Sequence, residues 1–262
     1  GMGGFIGSHI ADAMLERGAD VTGTIFTRTT NIEHIKDRVQ AVRCDVSKKS
    51  DVDSLIAETR PNYVFHMAAQ SFVIPSWKDP EQTFRTNIFG TYYLLEAIRK
   101  LDIDPVILIA SSSAAYGFTT KDEVPINETK EFRPSSPYAV SKVTTDGLAY
   151  LYAQTYGMKI IRARFFNITG PRKTNDALAD FSAQIARIEK GERPLIQTGN
   201  LSTIRDYTDV RDAIRAVFLL SEKGTWGHAY NICTGRGHRI SDLLNILVSF
   251  SSVKPEIQQS ES

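Results

Sequence analysis

The chain has 262 residues, 42% hydrophobic and 23% charged, enough for a buried core in one large or two modest domains. A formal net charge of +1 supplies no field to hold nucleic acid or an anionic membrane surface. Cys44 and Cys233 fit neither a metal-ligand spacing nor a disulfide framework, no apolar run approaches membrane-spanning length and no signal peptide opens the chain, so a cytoplasmic protein without a metal or a membrane span is expected.

The opening stretch, Gly1-Met2-Gly3-Gly4-Phe5-Ile6-Gly7, sets Gly1, Gly4 and Gly7 three apart, ahead of an amphipathic helix carried by Ile10, Ala13 and Met14 and stopped by Gly18. Glycines at a helix start let backbone N–H groups close on a phosphate, aided by the helix dipole. Such a cradle needs a strand before it and a βαβ unit after it. The unit after it is visible and the strand before it is not, so the chain is expected to lack its first several residues. Residues 19–26 read as a strand. A dinucleotide site for NAD carries an acid at the end of this strand; here Arg28 follows instead, placed to meet a 2′-phosphate, which favours NADP with NAD as the alternative.

Residues 39–44 read as the next strand, ending in Asp45-Val46, where the acid either bonds an adenine amino group or caps the helix over 50–60. Residues 61–70 give a buried strand whose small Ala68 and Ala69, before Gln70, let a cofactor approach its C-terminal edge; His66 reads as a core histidine. A long helix is expected over 79–100, with Asn87 in its middle either bending it or binding a water. Val106-Ile107-Leu108-Ile109-Ala110 has the continuous apolar character of a buried parallel strand. It delivers Ser111-Ser112-Ser113-Ala114-Ala115-Tyr116-Gly117 at the end where open α/β sheets bind ligands.

Ser135-Ser136-Pro137-Tyr138 reads as a helix start, with either serine as cap and Pro137 where a missing N–H costs nothing. Tyr138 and Lys142 are four apart and share a face, so the ammonium is expected to lower the phenol pKa and make a proton donor or acceptor near neutral pH. After a strand over 159–166 and a turn over 167–172 the rhythm changes. A helix over 181–190, a strand over 194–197, a helix ending at 220, a strand over 230–233 and a helix over 240–250 follow, with Arg172, Arg193 and Arg205 available for phosphate. The expected fold is α/β. A Rossmann-type doubly wound parallel sheet occupies residues 1–166, and a smaller mixed α/β lobe, interleaved with it and truncated at its C-terminal end, occupies 167–262.

Taken together, these residues resemble the extended short-chain dehydrogenase/reductases (the NAD-dependent epimerase/dehydratase family) that act on nucleotide sugars. The resemblance rests on Gly-x-x-Gly-x-x-Gly, His66-Met67-Ala68-Ala69-Gln70, Thr86-Asn87-Ile88-Phe89-Gly90-Thr91, the serine strand end, Tyr138-x-x-x-Lys142, Phe166-Asn167, Gly170-Pro171-Arg172 and Arg205-Asp206. Within that family, Gln184-Ile185-Ala186-Arg187-Ile188-Glu189, Gly199-Asn200-Leu201 and the stretch from Arg205 to Asp212 are most similar to the GDP-mannose branch of dehydratases and reductases.

The resemblance implies Tyr138 as acid/base at the sugar C4 oxygen, Lys142 lowering its pKa and bonding the nicotinamide ribose, and Ser112 hydrogen-bonding the same oxygen. It places Gly1, Gly4, Phe5, Ile6, Gly7, Arg28, Asp45, Val46, Ala68, Ala69, Gln70 and Asn87 at the cofactor, and Ser113, Asn167, Arg172 and Arg205 at a nucleotide-diphosphate sugar. Pairing through the helices of Asn87 and Tyr138 implies a homodimer, with a tetramer as the alternative. Dehydratases of this branch carry a glutamate two residues before the tyrosine of the strand-end Tyr-Gly; here that residue is Ala114, with Asp122 or Glu123 as acids on the following loop. Alanine transfers no proton. Reduction of GDP-4-keto-6-deoxy-mannose by NADPH is therefore expected, the alternatives being GDP-mannose 4,6-dehydration, 4-epimerisation of another nucleotide sugar, or a catalytically silent NADP-binding protein.

Overall fold

The structure, a computed structural model, describes residues 1–27 and 29–260; Arg28, expected at the 2′-phosphate, lies outside the described residues. In chain order the elements are α1 (Phe5–Glu16), β1 (Thr22–Ile25), β2 (Gln40–Arg43), α2 (Lys49–Thr59), β3 (Tyr63–His66), α3 (Val73–Lys78), α4 (Pro80–Phe84), α5 (Gly90–Lys100), β4 (Val106–Ser112), α6 (Pro137–Tyr156) and β5 (Ile160–Phe165). They continue with β6 (Asn167–Thr169), α7 (Ala177–Glu189), β7 (Leu195–Thr198), β8 (Ile204–Asp209), α8 (Val210–Lys223), β9 (Ala229–Ile232), β10 (Gly237–Arg239), α9 (Ile240–Ser249) and β11 (Glu256–Gln259).

The chain divides into two compact units, one of Gly1–Phe166 with Arg211–Ile232, the other of Asn167–Val210 with the chain from Cys233 onward. In the first, β3, β4, β5 and β9 form a parallel sheet in that order, and β1 pairs in parallel with β2. Its core gathers Leu95 and Ile98 of α5, Ile107 and Ile109 of β4, Ala149 and Tyr152 of α6, and Ile160 of β5. Ile107, Leu108 and Ile109 are all buried, so both faces of β4 are covered, which is why it reads as an unbroken apolar run. In the second unit, β8 lies between antiparallel β10 and parallel β6, β7 pairs in parallel with β11, and Phe181, Ile185, Ile188, Ile196, Ile240 and Leu244 form the core.

Several boundaries differ from the sequence reading. The helix expected over 79–100 is three segments: α4, capped by Asp79, then a π turn over Arg85–Phe89, then α5. The π turn widens the helix at Asn87. It frees the Asn87 carbonyl to accept from the Thr91 hydroxyl at 2.7 Å and from that of Thr145 at 3.5 Å. Asn87 stands in the middle of the π turn. Asn167–Thr169 is a strand in register with Tyr207–Asp209, not a turn, and the stretch expected to lead into a helix supplies the middle strand β8. Three-residue strands are too short to show alternation, which is why they pass unnoticed in sequence.

Candidate active site

The glycine stretch folds as a cradle. Helix α1 begins at Phe5 on Gly4, which offers no side-chain cap, and the positive end of the helix suits an anion. A Cβ on Gly7 would sit 2.2 Å from the Gly1 carbonyl oxygen, and one on Gly1 would sit 2.5 Å from the Ala68 nitrogen. The loop thus packs backbone against backbone at the ends of α1 and β3, in space only glycine leaves open. Asn31 pins it further, its amide donating to the Gly3 carbonyl at 3.2 Å. The glycine stretch suits a dinucleotide pyrophosphate, and Ala68 and Ala69 follow the end of β3.

Three of the expected reacting groups meet at the C-terminal end of β4. Ser112 is the last residue of that strand, and its oxygen accepts from the Ala114 N–H at 3.1 Å, so its own proton is free to donate. Tyr138 lies in the first turn of α6, where Ser136, not Ser135, is the cap, accepting from Ala139 at 3.1 Å. Burial pushes the Tyr138 phenol above its usual pKa, and a hydrogen bond with Ser112 draws it partly back.

Lys142 is 5% exposed, and burial lowers its pKa to about 8. Its Nζ donates to the Ala110 carbonyl at 2.6 Å and stands 6.0 Å from the centre of the Tyr138 ring. The expectation of a phenol acidified by Lys142 is therefore corrected: in the protein alone the ammonium is bonded to the sheet, desolvation outweighs the Ser112 hydrogen bond at Tyr138, and the phenol is held protonated. His66 is buried with its pKa lowered to about 3, first by desolvation, and its Nε2 lies 3.1 Å from the Thr91 hydroxyl, the environment of a core histidine.

The remaining cofactor candidates of this unit, and the substrate candidate Ser113, have the following surroundings. Asn87 is buried and grips protein groups on every side. Its Oδ1 accepts from the Gln70 N–H at 2.8 Å, and its Nδ2 donates to the Gln70 carbonyl at 3.0 Å and to Ser141 Oγ at 2.9 Å. The Gln70 side chain closes its own loop onto Phe72 and Thr83. Asp45 accepts from the backbone and hydroxyl of Ser47 at 3.0 and 2.7 Å, so one carboxylate oxygen closes a turn before α2, whose N-cap position is Lys48. Val46 packs on the core and on Gly90, where a Cβ would come within 3.0 Å of it. Phe5 and Ile6 form the first helical turn, and Ser113 opens the short turn Ser113–Tyr116.

The second unit brings Asn167 and Arg205 to one cavity of about 350 Å³, lined also by Asp180, Gln184, Thr198, Asn200 and Tyr207. The Asn167 amide donates to the Asp206 carbonyl at 3.0 Å, and Arg205 donates to the carbonyl of Ile204 at 2.9 Å. Thr198 Oγ1 is buried there with no protein partner among the described residues. Arg172 is not among the residues lining that cavity and has a left-handed backbone, φ 72°, unusual for a side chain of its size.

Of the residues lining this cavity, sequence reading missed Asp180 and Thr198, which carry no motif, and gave Tyr207 no role of its own although it lies in the stretch from Arg205 to Asp212. It also missed Asp146, although its position four after Lys142 continues the Tyr138–Lys142 stripe along α6. Among the described residues there is no group of three His, Cys, Asp or Glu that could hold a metal, and no helix is long and apolar enough to cross a membrane.

Comparison with known proteins places this geometry. The family model for GDP-mannose 4,6 dehydratase matches residues 1–262. GDP-6-deoxy-D-mannose reductase of Pseudomonas aeruginosa is 33% identical over 201 residues, 76% of this chain and 66% of the reductase, so this chain spans about two thirds of that relative. The structure of RMD from Pseudomonas aeruginosa complexed with NADPH superposes with a TM-score of 0.86 at 29% identity, covering 99% of this chain and 83% of that one. UDP-glucose 4-epimerase of Thermotoga maritima, solved with UDP-glucose, gives a TM-score of 0.88 at 30% identity over 100% of this chain and 85% of that one. With the family model matched along the whole sequence, the chain belongs to the GDP-mannose 4,6 dehydratase family, among the extended short-chain dehydrogenase/reductases that dehydrate, reduce or epimerise nucleotide sugars.

Proposed function

We propose that this chain is a cytoplasmic NADPH-dependent reductase acting on the 4-keto group of a GDP-4-keto-6-deoxy sugar. The observation that carries the reading is the lack of an acid where dehydration needs one. Position 114 is alanine, and Glu123 is tied within its own loop. Its carboxylate pairs with Lys130 at 2.7 Å and Arg133 at 2.8 Å and accepts from the Thr120 N–H at 2.9 Å. The Lys130 contact foremost holds its pKa at about 2, so it keeps no proton to give. Asp122 is likewise held below the usual carboxylate range, first by a hydrogen bond with Thr120.

Reduction asks less of the protein. The bound cofactor supplies a hydride to sugar C4. Tyr138, held protonated, gives its phenolic proton to the C4 oxygen, so the carbonyl becomes an alcohol and the phenolate is left on the enzyme for solvent to reprotonate. Ser112 donates a hydrogen bond to the same oxygen as charge develops on it. Lys142, at a pKa near 8, is largely ammonium at neutral pH and stabilises the phenolate that forms. The first turn of α1 receives the cofactor pyrophosphate, Arg28 the 2′-phosphate, and Asn167, Arg172 and Arg205 the sugar nucleotide. NAD is the alternative cofactor.

The test is incubation with NADPH and GDP-4-keto-6-deoxy-mannose, and separately with GDP-mannose, following absorbance and product mass. NADPH consumption with the keto sugar is the expected result. Loss of water from GDP-mannose would select the dehydratase that the family model names, and exchange at C4 without net NADPH use the 4-epimerase of the structural neighbour.

We also propose a homodimer. Val140, Gly147 and Leu151 leave an exposed, weakly polar stripe along α6, and Phe89 and Tyr92 are exposed beside the start of α5. Sedimentation giving a monomer at micromolar concentration would overturn it.

A further inference from the structure

The two hydroxyls that address one substrate oxygen come from different elements: Ser112 from the end of β4, Tyr138 from the start of α6. Nothing in the chain between them is regular enough to set their separation, because residues 117–136 are mostly irregular. A buried network spans the gap instead, and every member belongs to the first unit. Asp146 of α6 is two turns beyond Tyr138 and 1% exposed. It takes a two-pronged grip from Arg164 of β5, Nε to Oδ2 at 2.9 Å and NH2 to Oδ1 at 3.0 Å. Arg162 adds a bond to Oδ1 at 2.6 Å. The remaining prong of Arg164, NH1, donates to the Tyr116 hydroxyl and to the Glu128 carbonyl, both at 2.8 Å. Tyr116 in turn donates to Asn231 Oδ1 at 2.8 Å, and its side chain is fully buried.

Tyr116 closes the short turn Ser113–Tyr116 that leaves Ser112, so its hydroxyl fixes the far end of the serine segment. Arg164 thus bonds both the Tyr138 helix, at Asp146, and the serine turn, at Tyr116. Its planar fork suits it to bridging them, since four of its five N–H bonds have partners, in three directions. Lysine, a point donor on a flexible stem, cannot hold all three.

We propose that Arg164 is a positioning residue, bracing the serine turn against the Tyr138 helix through Tyr116 and Asp146 so that Ser112 and Tyr138 meet one substrate oxygen. The proposal rests on the reductase reading, because it presumes that these two hydroxyls address the reacting carbonyl. The brace touches neither the glycine cradle nor Lys142, so it governs the chemical step and leaves cofactor binding alone.

The test compares Tyr116→Phe, which removes one oxygen and keeps the ring, with Arg164→Lys. Val52→Ala, a change on the buried face of α2, serves as a variant destabilised elsewhere. Each is assayed with NADPH and GDP-4-keto-6-deoxy-mannose well below its melting temperature. For both brace variants kcat is expected to fall at least about tenfold, as small misplacements of reacting groups do. The KM and dissociation constant for NADPH are expected to stay within about twofold, and Val52→Ala is expected to keep its kcat at a comparable loss of melting temperature. Unchanged kcat in Tyr116→Phe, or an equal fall in Val52→Ala, overturns the brace. If Arg164→Lys does not fold, Tyr116→Phe decides alone. Tyr138→Phe runs alongside: turnover retained there refutes the reductase reading itself, a failure separate from that of Arg164.

Discussion

The Lys142 ammonium lies 2.6 Å from the carbonyl oxygen of Ala110, a hydrogen bond from the Tyr138 helix to the strand that ends in Ser112. A buried ammonium with one carbonyl partner is held at a cost, which shows as a pKa lowered from 10.5 to about 8. Between those values the unfolded chain binds a proton that the native protein does not, so stability rises with pH across that window. The corresponding penalty at pH 7 is about 3 kcal/mol by linkage. Lys142→Met is therefore expected to be inactive yet more stable than wild type at pH 7, with the advantage shrinking between pH 8 and 10.5. Urea denaturation at pH 7 and pH 10 checks this; a variant destabilised equally at both would contradict it.

Tyr138→Phe removes the proton donor and keeps the ring against its neighbours. Turnover should fall by at least about a hundredfold, in line with the loss of a general acid. NADPH affinity, read by fluorescence titration, should change less than about twofold.

Arg28→Ala should weaken NADPH binding by tenfold or more, since a charge-assisted phosphate contact contributes about 1.5–3 kcal/mol. NADH binding should hardly change. Equal losses for the two nucleotides would refute the 2′-phosphate role.

Asn87→Ala removes the side-chain partner of the Gln70 N–H and carbonyl in one step, and one bond from the Ser141 hydroxyl, which still donates to the Tyr138 carbonyl. A loss of about 2–4 kcal/mol in unfolding free energy is expected, the scale of leaving buried polar groups unpaired. Denaturant midpoints measure it, and a loss under about 0.5 kcal/mol would mean that water replaces the amide.

Glu123→Gln separates a loop contact from a chemical one. The Glu123 carboxylate is held at about 2, so its contribution to stability is present above its ordinary range near 4.5 and is lost as the pH falls toward 2. The melting temperature of the variant should be lower than wild type at pH 7 and should converge with it in acid, while kcat stays within about twofold. A large fall in kcat would make Glu123 the missing acid.

What could be read beforehand was local. The glycine spacing, a serine cap just before Pro137 and the Tyr138–Lys142 stripe all lie within one or two turns, where helix periodicity fixes neighbours. What could not be read needed partners far along the chain: Tyr116 meets Arg164 at a separation of 48 residues and Asn231 at 115. The direction of the Tyr138 pKa was misread for the same reason. Spacing reports that an ammonium is near, but neither that the phenol is desolvated nor that the lysine is bonded to Ala110. Asn87, an unfavourable residue in a helix interior, falls in a π turn, while its grip on Gln70 and Ser141 depended on the fold.

The π turn over Arg85–Phe89 also sets an angular phase. An α-helix advances about 100° per residue, so one additional residue in a turn rotates everything before it relative to everything after. Thr83, fully buried, faces the Gln70 amide only because that rotation has been inserted between α4 and α5. Deleting one residue from the turn would give a smoother helix and swing Thr83 away from the Gln70 loop, so the irregular turn is a phase setting that this side of the first unit depends on.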